Sequence, residues 1–295
     1  MKMVTAGKAA AYQAVLRAIA SNLPPNERRL FYDPYAKLFL PPHLKLVEWL
    51  SRVPILNRII CWYIDQRWTG ALTSCVARNR LIDVMTTNLV RDEGFNQIII
   101  FGAGYDCRVH RLKMKERVMF VEIDDPVKQE AKLAILENSP LKPVMHVDSI
   151  SVDFHKQRLE DVLPGLFHNT HYKTMFIWEG VNNYFTAPIA DKIFQYFKTF
   201  LPGTVIIFTY VDEKVLSNPE LFVGASSVAK LLQHNNEFWN FGIDPAKISD
   251  FLAGYNMKLE YDEGADVYRE IYFGKERAAK MKGYEYYRVA MAVVQ

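Results

Sequence analysis

"IIIFGAGYDCRVHRL", residues 98–112, decides how this chain is read. Four apolar residues run without a break into a Gly-x-Gly turn, Gly102 and Gly104, and a polar segment with the texture of a helix start follows. A strand covered on both faces, a tight turn and a helix together open a βαβ unit. In open sheets of this kind, ligands bind at the carboxyl ends of the strands, where the strand order reverses. Gly102 and Gly104 fall at such an end, where the backbone turns tightly and comes close to a ligand. Gly-x-Gly also occurs in turns that bind nothing, so the residues around it have to identify the ligand.

Working outward, three more continuous apolar runs match the first: "RVMFVEI" (117–123), "KTMFIWE" (173–179) and "GTVIIFTYV" (203–211). Helix-like segments lie between them, at about 125–138, 155–163 and 187–200. This alternation predicts a mostly parallel sheet built from right-handed βαβ crossovers. Late in the chain come a helix near 245–254, the run "MKLEYD" and a last strand, "YEYYRVAMAVV". The last two, joined through a loop rich in Lys, Arg and Tyr, predict an antiparallel pair closing one sheet edge. Before the sheet, residues 1–92 read as a helical extension or cap. "AGKAAAYQAVLRAIAS" and "LTSCVARNRLIDVMTTNLV" carry apolar spacing of three and four, and Pro34, Pro41 and Pro42 cut the stretch between them into short pieces. Residues 93–295 form the sheet domain. Within it, 212–243 is too long for a simple connection and is expected to be a lid, with Phe222, Phe238, Trp239 and Phe241 lining a mostly apolar pocket or forming its own core.

Bulk properties narrow the function classes. A net charge of +3 over 295 residues, with Lys and Arg scattered, gives no footprint for nucleic acid. Cys61, Cys75 and Cys107 form neither a CxxC pair nor an even framework, and the start "MKMVTAGKAAAYQAV" lacks the apolar core of a signal peptide, so a cytoplasmic location is expected. The most apolar early segment, residues 46–64, is interrupted by Arg52, Pro54 and Arg58 and makes a poor membrane span. Metal-ligand spacings such as HExxH are absent, and no metal is expected.

The nucleotide follows from what surrounds the turn. Glu122, Asp124 and Asp125 end the next strand, 20 to 23 positions after Gly102, where an acidic residue holds ribose hydroxyls. Asp125 precedes Pro126 and serves as a helix cap; Asp124 is the choice for ribose, with Glu122 in reserve. A dinucleotide site needs a third glycine three residues after the second, so that pyrophosphate can sit on the helix N-terminus. That position is Cys107, flanked by Asp106 and Arg108, and an acid there repels pyrophosphate. S-adenosylmethionine, with a ribose and an adenine but no phosphate, suits these residues better than NAD.

Seven stretches, "YDPYAKLFL", "VARNRLID", "FGAGYDCRVHRL", "VEIDDPVKQEAK", "SVDF", "FIWEGVNNYF" and "WNFGIDPAKISDFLAGYNMKLE", resemble in kind and order those of the leucine carboxyl methyltransferase family, over roughly residues 30 to 265. Cys107 departs from a usual threonine, and Asn182-Asn183 from less polar residues. The resemblance implies a class I, Rossmann-like methyltransferase fold of seven strands, with an antiparallel edge strand, the helical extension and the lid. It implies that Arg78, rather than its neighbour Arg80, pairs with the cofactor's methionine carboxylate, a task suited to a guanidinium fork. It places Gly102 and Gly104 against the cofactor, Asp124 on the ribose, Asp153 and Phe154 at the adenine, and Glu179 facing the ammonium. A carboxylate directly after "MFIW" also needs a partner on general grounds, because buried acids do.

Tyr184 and His234 are the candidates for the acceptor side, and His110 is read as structural. No catalytic residue is assigned: an acceptor hydroxyl would need a base, whereas a carboxylate is already ionised at neutral pH. The expected activity is O-methyl transfer to a carboxylate or hydroxyl, of a small molecule ahead of a protein C-terminus. A nicotinamide-dependent oxidoreductase and a non-catalytic cofactor-binding protein are the competing readings. Oligomeric state is not readable from these residues.

Overall fold

The computed structural model describes residues 8–24, 29–114, 117–141, 145–163 and 171–295. Ala6 and Gly7 of the first predicted helix, and Pro25 after it, lie outside them. The continuous apolar runs form strands because both of their faces are covered. In β1 (Gln97–Phe101) the side chains of Ile98 and Ile100 enter one hydrophobic core and those of Ile99 and Phe101 enter another, the period-two alternation of a pleated strand. The remaining strands are β2 (Met119–Asp124), β3 (Val147–Ser151), β4 (Thr174–Trp178), β5 (Val205–Val211), β6 (Met257–Glu263) and β7 (Tyr287–Val294). Every residue of β1, β4 and β5 is buried. β3, with the polar sequence VDSIS, is an edge strand half open to water.

The seven strands are ordered β3-β2-β1-β4-β5-β7-β6. β7 runs antiparallel to both its neighbours, and the other adjacent pairs are parallel. The antiparallel pair expected at one edge is therefore β6 with β7, with β6 outermost. Strand order reverses between β1 and β4, which puts the carboxyl ends of β1, β2 and β4 around one crevice.

Among the described residues, four α-helices precede the sheet: α1 (Lys8–Ser21), α2 (Pro42–Leu50), α3 (Pro54–Arg67) and α4 (Ala71–Glu93). Pro42 and Pro54 are the first residues of α2 and α3, a position where the missing N–H costs nothing. The prolines here start helices as well as dividing them. α4 stops at Gly94, in the left-handed conformation with φ 75°. Buried residues of α1 and α4 share the core with Ile98 and Ile100 of β1. The apolar segment 46–64 is split between α2 and α3, and among the described residues no helix is long and apolar enough to cross a membrane.

Within the sheet domain lie α5 (Arg108–Arg111), α6 (Pro126–Glu137), α7 (Leu159–Val162), α8 (Ala187–Lys198), α9 (Lys214–Ser217), α10 (Ala225–His234), α11 (Ile248–Ala253), α12 (Ala265–Phe273) and α13 (Lys275–Ala278). Asp125 caps α6, its side chain accepting from Val127 N at 3.0 Å. α8 packs Phe194 and Phe197 against Trp178 and Phe176 on the face opposite α4. The long segment after β5 is not a bare loop, since it contains α9 and α10. Its two ends meet where Ile243 N donates to Val211 O at 3.0 Å, so it leaves the sheet and returns to the same point. α12 likewise occupies part of what reads as a Lys-, Arg- and Tyr-rich loop.

Candidate active site

A cavity of about 870 Å³ opens at the strand-order reversal. Its walls come from the glycine turn, the end of β4, helices α1 to α4, and α10 with the segment following it.

The glycine turn is shaped by backbone conformation. Gly102 has φ +63° and Gly104 has φ +45°, both in the region that penalises a side chain. A Cβ on Gly102 would stand 2.8 Å from the methyl groups of Val181, so this glycine makes room for a residue three positions past the end of β4. A Cβ on Gly104 would meet nothing nearer than 3.8 Å, which leaves open space beside the turn. Gly104 N donates to Asp124 Oδ2 at 2.5 Å, and Asp125 N to Asp124 Oδ1 at 2.7 Å. The last carboxylate of β2 is thus held at the cavity wall by two backbone donors. Glu122, two residues earlier, is 1% exposed, off the wall, and paired with Lys132 Nζ at 2.7 Å. The geometry separates the two candidates: position 124 faces the cavity and position 122 is engaged beneath it.

Beside the turn lies a buried ionic cluster. Glu179, immediately after β4, receives Arg78 Nε on Oε1 at 2.8 Å and Arg108 Nη2 on Oε2 at 2.6 Å. Arg108 also meets Asp83 at 2.9 Å and Asp106, and Arg111 reaches Asp83 at 2.6 Å. Arg78 further donates to Gln13 Oε1 at 3.2 Å and stacks over the Tyr287 ring at 4.7 Å. Burial alone would raise the Glu179 carboxyl, but Arg108 and Arg78 hold it below its ordinary value. Against the same burial, Arg108 and then Lys132 take Asp106 down to about 2. Both acids are anions at neutral pH. Three guanidiniums face three carboxylates, so the charges within the cluster balance.

The partner expected for Glu179 is therefore Arg78, together with an arginine that sequence reasoning left out of the site. Arg108 and Asp83 were legible only as a charged helix start and a charged position on α4. Arg80, the rival of Arg78, is exposed. Asp153 and Phe154, expected at the adenine, are not among the residues lining the cavity. Asp153 accepts from His155 N at 3.0 Å and stands 3.0 Å from Lys156 Nζ. Phe154 packs on Phe101 and Phe185 at 5.8 and 5.4 Å. His155 and Phe185 are the residues at that stretch of wall. Tyr184 lines the cavity, and burial pushes its phenol far above the ordinary value.

His234, a candidate for the acceptor side, is exposed and lies outside the residues lining the cavity. The face of α10 turned to the cavity is Val228, Leu231 and Leu232, continued by the capping Asn235, one stripe at three- and four-residue spacing, and position 234 falls outside it. Trp239 lines the wall beyond them. Among the described residues, no group of three or more His, Cys, Asp or Glu side chains is placed to hold a metal ion.

Residues 10–198 match the model of the family described as leucine carboxyl methyltransferase. A Mycobacterium marinum protein named "Putative S-adenosyl-L-methionine-dependent methyltransferase" is 27% identical over 130 residues, 44% of this chain and 41% of the relative. One of the same name from Mycolicibacterium gilvum is 25% identical over 219 residues, 72% of this chain and 69% of the relative. The first of these matches thus spans less than half of the relative's length. Among solved structures, the "putative methyltransferase" from Thermobifida fusca superposes with a TM-score of 0.58, covering 100% of this chain and 96% of that one. At 14% identity this likeness concerns the fold.

Proposed function

The chain belongs to the leucine carboxyl methyltransferase family, and on that premise we propose that it is an S-adenosylmethionine-dependent O-methyltransferase whose acceptor oxygen belongs to a carboxylate. One observation carries the cofactor reading: the Asp124 carboxylate and the Arg78–Glu179 pair line one cavity beside the open space at Gly104. An acid at the end of β2 suits ribose hydroxyls. A buried anion beside a buried cation suits an amino-acid zwitterion, with Arg78 toward its carboxylate and Glu179 toward its ammonium. Asp106 Oδ1 accepts from Arg108 N at 2.7 Å and occupies the helix start that a pyrophosphate would need. Gly102 and Gly104 form the floor. The adenine end is placed at His155 and Phe185, which line the wall next to the expected Asp153 and Phe154; Phe154 supports it by packing on Phe185 at 5.4 Å.

When bound, the cofactor supplies a sulfonium methyl group. The protein's part is to align the acceptor and keep water out. The carboxylates on the wall, Asp106, Asp124, Glu179 and Glu237, are each engaged: by Arg108, by backbone N–H groups, by two arginines, and by Ala9 N at 3.1 Å. Tyr184, with its raised phenol, stays protonated. A site whose acids are occupied in this way favours an acceptor that arrives without a proton to lose. The test is transfer of radiolabelled methyl to small-molecule extract, followed by mild alkali. Methyl esters then release volatile methanol; a label that stays bound through alkali would mean hydroxyl methylation and defeat the carboxylate assignment.

A further inference from the structure

The cavity continues past the residues assigned to the cofactor, and its walls change character. On the lid side stands Asn183, in a 3-10 turn over Asn182–Tyr184. Its side chain is 1% exposed, and neither its Nδ2 nor its Oδ1 has a partner. Its backbone C=O accepts from Asn240 N at 2.7 Å, which ties this turn to the lid segment. The Nδ2 of Asn235, the residue that ends α10 at the cavity wall, is also buried and unpartnered. Leaving such groups unmade costs stability, and a ligand that satisfies them recovers it.

Across the cavity the wall is apolar, formed by Leu16 and Ile19 of α1, Leu44 and Val47 of α2, and Ile60 and Ile64 of α3. It reaches the surface beside Ile59, Trp62 and Tyr63, which line the cavity yet remain 54, 62 and 57% exposed. Side chains that belong at once to a cavity wall and to an apolar outer surface mark an opening suited to an apolar chain.

We propose that the acceptor is an amphipathic acid, its carboxylate end held at Asn183 and Asn235 and its aliphatic tail lying along α1 and α3 toward the opening at Trp62. This deepens, and rests on, the methyltransferase reading of the site. A peptide tail fits less well, because its backbone N–H and C=O groups would find no partners along six aliphatic side chains. A short polar metabolite would leave the same wall wet.

Titration calorimetry of the full chain with straight-chain acids from hexanoic to dodecanoic, with and without S-adenosylhomocysteine, tests this independently of turnover. Affinity is expected to rise about three- to fourfold per methylene until the tail reaches the opening. Asn183→Leu, with its melting curve showing that it folds, is expected to weaken every acid at least tenfold; Trp62→Ala should flatten the gain for the longest acids. Affinity independent of chain length, no binding of any acid, or tighter binding of a leucine-ended peptide would each overturn the proposal. Should S-adenosylhomocysteine itself fail to bind, the cofactor reading falls, and the acid series on the protein alone still decides the acceptor class.

Discussion

Asp124 and His110 show how differently two buried polar residues can be used. Asp124 is 3% exposed, and both its oxygens are fixed by backbone donors at the cavity wall. Removing it deletes the proposed ribose contact. Asp124→Ala is expected to weaken S-adenosylhomocysteine at least tenfold, about 1.4 kcal/mol or more. Unchanged affinity in a folded variant, measured by calorimetry, would remove the assignment. His110 is 3% exposed, its two ring nitrogens lack partners, and its ring packs at a tilt on Tyr35, with centroids 5.4 Å apart. Burial first, and the Lys132 ammonium second, push its pKa down to about 4 from 6.5. An unfolded chain takes up that proton near pH 6.5, whereas the folded one resists it until about pH 4. Its effect on stability is therefore absent above pH 6.5 and becomes a growing penalty as pH falls to 4, roughly 3 kcal/mol in all. Urea midpoints measured across this window should fall for the parent and fall much less for His110→Leu. Parallel slopes in the two proteins would show that the imidazole is not the sensor.

Elements are pinned together by backbone contacts that leave no room for a methyl group. Gly70, at the start of α4, has φ +81°, and a Cβ there would stand 2.4 Å from Lys282 O; Gly283 has φ +85°, and its Cβ would stand 2.3 Å from Thr69 O. Arg269 of α12, fully buried, donates to Gly70 O at 3.1 Å and to Gly283 O, and so clamps the two strips. Gly283→Ala combines a forbidden φ with a backbone collision and should cost more than about 2 kcal/mol. A denaturant midpoint equal to the parent's would show that the junction yields. This clamp also explains what was hidden from the sequence. The apolar runs of β1, β4 and β5 were legible because burial on both faces writes an unbroken pattern. α12 was not, because its buried face includes an arginine, and periodicity counts arginine as solvent-facing. α10 was missed for a similar reason: its short stripe of Val228, Leu231 and Leu232 is diluted by polar neighbours. Within the site, a lone acid after an apolar strand was enough to say that Glu179 needs a partner. Finding Arg78 required the fold or the family resemblance, since the two residues are 101 positions apart. Arg108 sits one turn from glycines that drew attention first.

The whole molecule behaves as one body if the cavity is the joint between its parts. Arg17 of α1 pairs with Asp33 at 3.0 Å and donates to Tyr105 O of the glycine turn, so the first helix is tied to that turn. Ala9 N, at the start of the same helix, donates to Glu237 in the segment after α10 at 3.1 Å. The helices before the sheet, the strand ends, and α10 with the segment after it therefore share the walls of one cavity. A ligand that binds there stabilises only the state in which all three are in place. With free S-adenosylhomocysteine at about 100 times its dissociation constant, the gain is about 2.7 kcal/mol. In a chain of this length that corresponds to a rise of roughly 5 °C in melting temperature. A calorimetric scan should show one transition, moving as a unit when ligand is added. Two transitions, with only the later one moving, would mean that the helices before the sheet melt independently of the cofactor site. The tie through Arg17 can be tested in the same scan. Arg17→Met removes both of its contacts and leaves Asp33 buried without its cation, so the variant should melt earlier and, if α1 helps to form the site, gain less from the ligand. An undiminished ligand shift in that variant would separate the stability of the cap from the binding of the cofactor.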